Sequence, residues 1–75
     1  MLIIYGANGY TGELVARRAV ASGQRPVLAG RNAEAVGRLA SELGLPHRVA
    51  DLGDPAGLRA LLDGVDVVAH CAGPF

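Results

Sequence analysis

The chain has 75 residues, 51% of them hydrophobic, and its seven arginines balance seven acids to a net charge of zero, with no lysine. That length limits it to one small domain, the apolar content excludes a disordered segment, and the neutral balance disfavours nucleic acid as a partner. A single cysteine, Cys71, excludes an internal disulfide and fits a reducing compartment. No basic leader precedes the first apolar run and no run reaches membrane-spanning length, so the expected location is cytoplasmic, with no membrane segment.

Residues 2–5 form a continuous apolar run closed by turn residues, the pattern of a buried parallel strand. The next segment, Gly6-Ala7-Asn8-Gly9-Tyr10-Thr11-Gly12, carries glycine at every third position and leads into a helix expected over residues 11–22. Gly6 permits a sharp turn off the strand. Gly9 removes a side chain where backbone must approach phosphate, and Gly12 permits close packing of the helix on the sheet. The N–H groups at the helix start then face an anion, with the helix dipole behind them. Leu14, Val15, Ala19 and Val20 are expected on the buried face, Arg17 and Arg18 point to solvent, and Gly23 is the stop.

Residues 26–29 predict a second strand, with Pro26 tolerated at its start. Asn32 caps a second helix whose stripe is Val36, Leu39, Ala40 and Leu43, and Gly44 and Pro46 end it. A third strand is expected over residues 47–50. Asp54-Pro55 then reads as an N-cap followed by proline at the first helical position. Leu58, Leu61 and Leu62 form the stripe of that third helix and Gly64 closes it. Residues 65–69 make a fourth strand, ended by Gly73-Pro74.

The order βαβαβαβ requires parallel strands with right-handed crossovers. The expected architecture is α/β: a Rossmann-like, partial doubly wound parallel sheet in the order 3-2-1-4. Its ligand crevice lies at the switch between the first and fourth strands. A complete domain of this kind has further strands. Residues 1–75 therefore read as the N-terminal part of an NAD(P)-binding domain, with the remainder and a substrate domain outside the chain. Val67 and Val68 would then be poorly covered, an association hazard.

Several residues at strand ends carry chemistry. Gly30-Arg31-Asn32 follows the second strand, where an acid would hold a ribose 2′-hydroxyl. No acid stands there. Arg31 can grip a 2′-phosphate with a forked pair of charge-assisted hydrogen bonds, Asn32 adds a donor, and Gly30 leaves room for the ribose. This favours NADP(H) over NAD(H). Asp51-Leu52, after the third strand, reads equally as an adenine contact, with Asp51 accepting from the amino group and Leu52 against the ring, or as a local turn. At the end of the fourth strand, Ala72-Gly73 allows backbone to approach the nicotinamide ribose. Cys71 and His70 read as structural, since no partner base accompanies them. Tyr5 reads as core or crevice wall, and Tyr10 as a cover for the pyrophosphate or for the helix start. His47 and Cys71 are too isolated for a metal site. No Ser/His/Asp set, carboxylate pair or Tyr-x-x-x-Lys acid is present.

Three motifs in order, Gly6-Ala7-Asn8-Gly9-Tyr10-Thr11-Gly12, Ala29-Gly30-Arg31-Asn32 and Cys71-Ala72-Gly73-Pro74-Phe75, resemble the saccharopine dehydrogenase-like NADP-binding domain. The Gly-Tyr-Thr-Gly and Gly-Pro-Phe pieces look most like the branch containing trans-acting enoyl reductases. The resemblance implies an NAD(P)-dependent oxidoreductase acting on a small organic substrate. By motif, Gly6, Asn8, Gly9, Tyr10, Thr11 and Gly12 would hold the pyrophosphate, Arg31 and Asn32 the 2′-phosphate, and residues 72–75 would lie by the nicotinamide ribose. No catalytic residue is implied within the chain. Two other readings stay open: a non-catalytic NmrA-like dinucleotide-binding regulator, and an extended short-chain-type nucleotide-sugar epimerase. Arg31 counts against the epimerase, which typically keeps an acid after the second strand.

Overall fold

In a computed structural model, which describes residues 1–7, 9–51 and 53–71, strands and helices alternate along the chain. They are β1 (Leu2–Tyr5), α1 (Tyr10–Ala21), β2 (Val27–Gly30), α2 (Ala33–Leu43), β3 (His47–Val49), α3 (Pro55–Leu61) and β4 (Val67–His70). The strands form one parallel sheet in the order β3-β2-β1-β4, as the sequence predicts. Tyr5 stands opposite Ala29 on one side and His70 on the other, and Gly30 opposite Val49. All four carboxyl ends therefore share one edge, and β1 leaves that edge between β2 and β4.

Both faces of β1 and β2 are buried, which is why their sequences run apolar without alternation. Ile4 and Leu28 point to one side and pack with Ala16 of α1 and Val36, Leu39 and Ala40 of α2. Ile3, Tyr5, Val27 and Ala29 point to the other and pack with Ala50 and Leu61. Left-handed glycines follow each helix, at Gly23, Gly44 and Gly64.

Two helix faces differ from expectation. In α1 the buried residues are Gly12, Ala16 and Ala19, while Leu14 is 49% exposed. Leu14 sits two residues from both Gly12 and Ala16, about 200° around the helix, so a face chosen by the small residues turns it outward. In α3, Leu61 is buried and Leu58 half-buried, but Leu62 is exposed. The helix has seven residues and Leu62 is already its C-cap, outside the regular face.

Asp54 occupies the N-cap of α3 but makes no capping hydrogen bond. Its carboxylate lies against Gly57, where an added Cβ would come within 2.9 Å of Oδ2. The other end of α3 is held by Arg48 of β3, whose Nη1 donates to the carbonyls of Leu61 at 2.9 Å and Asp63 at 2.8 Å. Sequence reading assigned Arg48 no role.

β4 begins at Val67 rather than at residue 65. The Val65 N–H donates to Leu62 O at 3.0 Å, which keeps Val65 in the turn, and the Asp66 N–H reaches Met1 O at 2.9 Å. The Asp66 carboxylate also pairs with the Met1 ammonium, which holds it below the ordinary carboxylate range. Val67 and Val68 are 58% and 45% exposed, as expected of an uncovered strand. The expected stop at Gly73-Pro74 lies outside the described residues.

Candidate functional site

β1 delivers Gly6 to the carboxyl edge of the sheet with φ at +81°, a conformation that side chains rarely adopt. The N–H groups of Gly6 and Ala7 both donate to the Ala29 carbonyl, at 2.8 and 3.2 Å, so the turn is fastened to β2. The Gly9 N–H then donates to Gly6 O at 3.0 Å, and Glu13 N–H to Gly9 O at 2.8 Å opens the helix. The N-cap of α1 is Gly9, which has no side chain with which to cap. The first-turn N–H groups of Tyr10, Thr11 and Gly12 find no acceptor among the described residues.

Gly12 and Gly9 differ in why they are glycine. A Cβ on Gly12 would stand 2.1 Å from Gly6 O and 2.8 Å from the Ala7 Cα, an impossible contact with backbone. The expected close approach is thus between the helix and the turn itself. Among the described residues, a Cβ on Gly9 would meet only Gly6 O, at 3.4 Å, an ordinary contact, and Gly9 is exposed. Packing among the described residues demands glycine at position 12 and not at position 9. The bare outer surface at Gly9, beside uncapped amides, is the kind of cradle an anion fits.

Beyond β2, Gly30 is buried and its carbonyl accepts the Ala50 N–H at 3.1 Å. Arg31 is exposed and makes no ion pair or hydrogen bond among the described residues. Arg17, Arg25, Arg38 and Arg48 are each engaged. Asn32 commits its Oδ1 to capping α2, accepting the Ala35 N–H at 3.0 Å, which leaves its amide N–H groups as donors. Asp51 has the local-turn geometry: Oδ1 accepts the Gly53 N–H at 2.9 Å and its carbonyl accepts Asp54 N–H at 3.0 Å.

Tyr5 is buried, its hydroxyl donates to the Ala50 carbonyl at 2.9 Å, and its ring lies 5.7 Å from that of His70. Tyr10 is 88% exposed at the first position of α1, and Thr11 beside it is exposed too. Cys71 is half-buried against the α1/α2 cluster, and its N–H donates to Tyr5 O at 2.8 Å. No group of three or more potential metal ligands occurs among the described residues, and no helix there is long and apolar enough to cross a membrane. Asn8, Leu52, Ala72, Gly73, Pro74 and Phe75 lie outside the described residues. So do the expectations placed on them.

The topology therefore gathers the glycine turn, Arg31, Asn32, Asp51 and Cys71 at one edge, with the turn at the point where strand order reverses. A parallel sheet with that order and a glycine turn at the switch point defines a Rossmann-type nucleotide-binding domain. The NAD(P)H-binding family matches residues 6–75, and the chain belongs to that family. Among solved structures it is similar to the TTHB094 protein of Thermus thermophilus, a candidate short-chain oxidoreductase. The identity is 36% and the TM-score 0.82, over 96% of this chain and 36% of that one. It is also similar to the TT0495 protein of Thermus thermophilus, with 26% identity and a TM-score of 0.74, over 97% of this chain and 33% of that one. The chain spans about a third of the length of these two proteins. No curated protein matches it. The family match reaches a nicotinamide dinucleotide. It does not distinguish NADP from NAD, and it does not extend to the saccharopine dehydrogenase-like branch.

Proposed function

We propose that this chain is the NADP(H)-holding part of a cytoplasmic oxidoreductase whose substrate domain belongs to the rest of a longer protein. The observation that carries the reading is the exposed Gly9 cradle, which internal packing does not require, set beside the uncapped start of α1. Gly6 and Gly12 shape the turn, Gly9 leaves it bare, and the amides of Tyr10, Thr11 and Gly12 donate to the pyrophosphate, with Asn8 assigned to the same group. Arg31, uncommitted within the described residues, grips the 2′-phosphate with its planar fork, and the Asn32 amide adds a donor. Asp51 keeps Oδ2 for the adenine amino group after Oδ1 has set the local turn. Ala72 and Gly73, outside the described residues, are assigned to the nicotinamide ribose by motif alone. When bound, the nicotinamide supplies a hydride, and this chain's part is to hold and orient it. The finer kinship is to saccharopine dehydrogenase-like reductases, supported by the Gly9-Tyr10-Thr11-Gly12 and Gly73-Pro74-Phe75 motifs.

The test is a fluorescence titration of the intact protein with NADPH and with NADH, alongside Arg31→Ala. The wild type binds NADPH more tightly. Arg31→Ala weakens NADPH by about tenfold to a hundredfold, the scale of hydrogen bonds to a charged group, and leaves NADH unchanged. Equal affinities, unmoved by the substitution, would remove the Arg31 assignment. Binding of neither cofactor would remove the reading as a whole.

A further inference from the structure

We infer that Tyr5 is a positioning residue for the adenine half of the cofactor, acting through its phenol on the loop after β3. The inference rests on the proposed role of Asp51 and adds to it the device that holds Asp51 in place. Tyr5 is the last residue of β1, immediately before the glycine turn, and Ala50 is two strands away across β2. Ala29 stands opposite Tyr5 in the register and shares its buried cluster. Its methyl group leaves room for the ring to reach across. The bond from Tyr5 Oη to Ala50 O, 2.9 Å long and 45 residues apart in sequence, is the one fully buried side-chain hydrogen bond among the described residues.

A phenylalanine would fill the same apolar space, so packing alone does not call for the hydroxyl. A buried hydroxyl costs free energy unless it is paired, and here the pairing fixes a particular carbonyl. Ala50 is thereby held on both sides, its N–H by Gly30 O at 3.1 Å and its carbonyl by Tyr5. Asp51 follows directly, with Oδ1 taken by the Gly53 N–H. The chain of bonds leaves one carboxylate oxygen in a defined place at the sheet edge. Tyr5 thus joins the turn assigned to pyrophosphate to the loop assigned to adenine.

The measurement compares the affinity of the intact protein for NADPH with that for its hypoxanthine analogue, which lacks the amino group that Asp51 would accept from. Wild type, Tyr5→Phe, Asp51→Ala and a protein with 4-aminophenylalanine at position 5, which keeps a para donor, are titrated together. We expect wild type to prefer adenine by about tenfold and Tyr5→Phe to lower that preference at least about threefold, the scale of one hydrogen bond. The 4-aminophenylalanine protein restores it, and Asp51→Ala abolishes it. A preference unchanged by Tyr5→Phe but lost in Asp51→Ala overturns the role of Tyr5 and leaves the site reading standing. A preference lowered by Tyr5→Phe but not by Asp51→Ala supports Tyr5 and moves base recognition to the loop backbone. No preference in the wild type overturns both. An unfolded Tyr5→Phe chain also overturns the inference, since the phenol would then be a requirement of the fold.

Discussion

The two faces of the sheet are built differently. On one, two helices of 12 and 11 residues bury Ala16, Val36, Leu39 and Ala40 against Ile4 and Leu28. On the other, α3 has seven residues, one of them buried, and Val68 of β4, level with Ile3, is 45% exposed. The glycine turn emerges on the well-packed side, between β1 and α1, and is shaped by backbone contacts that the core holds rigid. The loop after β3 emerges on the sparse side, and single side chains fix it: Tyr5 holds Ala50, and Arg48 closes α3. The end of the site assigned to pyrophosphate is therefore preorganised by burial, and the end assigned to adenine by individual hydrogen bonds. Substitutions should cost most on the first face and read out more selectively on the second.

The sharpest way to break this contrast is Gly12→Ala. The added methyl meets the Gly6 carbonyl and the Ala7 Cα, both backbone, so α1 must move off the turn. We expect a loss of about 3 kcal/mol or more, the upper end for overpacking because the opposing atoms are backbone, together with loss of dinucleotide binding. Gly9→Ala provides the contrast: folding should be nearly unaffected while binding weakens. Chemical denaturation and cofactor titration of the two variants separate a packing glycine from a cradle glycine. Equal stability losses would erase the distinction.

That distinction marks how far the sequence could be read. The spacing of Gly6, Gly9 and Gly12 announced the turn, because glycine is the residue that each position tolerates, but the same letter stands for two reasons. Only the folded arrangement shows which contacts an added Cβ would make. The sheet order was legible because parallel strands joined by helices leave few arrangements. The α2 stripe was legible because its apolar residues are large and regularly spaced. The α1 face was legible in part: Ala19 is buried and Val15 and Val20 pack against the core, but Gly12 and Ala16 carry a weak hydrophobic signal, and Leu14 offered a stronger one on the wrong side. Tyr5 was recognised as core or crevice wall, but its bond to Ala50 spans 45 residues and no local pattern encodes it. The same holds for Arg48, whose acceptors are carbonyls at and just past the end of the next helix.

A matched pair of apolar substitutions measures the two faces directly. Leu28 is fully buried in the middle of the α1/α2 cluster, and Leu28→Ala should cost about 3 kcal/mol. Val68 on β4 is 45% exposed, and Val68→Thr should fall within about 0.5 kcal/mol of wild type. Thermal unfolding of the intact protein gives both values. A cost at Val68 comparable with that at Leu28 would mean that β4 is covered by something outside the described residues, and the asymmetry would belong to this chain alone.

Arg48→Met probes the hydrogen-bonded side. Methionine keeps the aliphatic stem and removes the guanidinium that closes the end of α3. We expect a loss of about 1 kcal/mol, since two bonds to carbonyls are lost from a partly exposed position. Amide exchange should rise in α3 while α1 and α2 keep their protection. A uniform rise would show that the two faces unfold as one unit.

The smallest expected effect is at Asp66, where the Met1 ammonium depresses the carboxyl. A carboxyl whose folded value lies below its unfolded one stabilises the native state above the unfolded value. That contribution fades as pH falls through the folded value. Asp66→Asn should therefore melt slightly below wild type at neutral pH, and the gap should close as the pH falls below the ordinary carboxylate range. The pair is exposed, so added salt should shrink the gap at neutral pH as well. A gap that persists in acid would show that the loss does not come from the carboxylate's charge, since the Asp66 N–H that donates to the Met1 carbonyl at 2.9 Å is kept in both proteins.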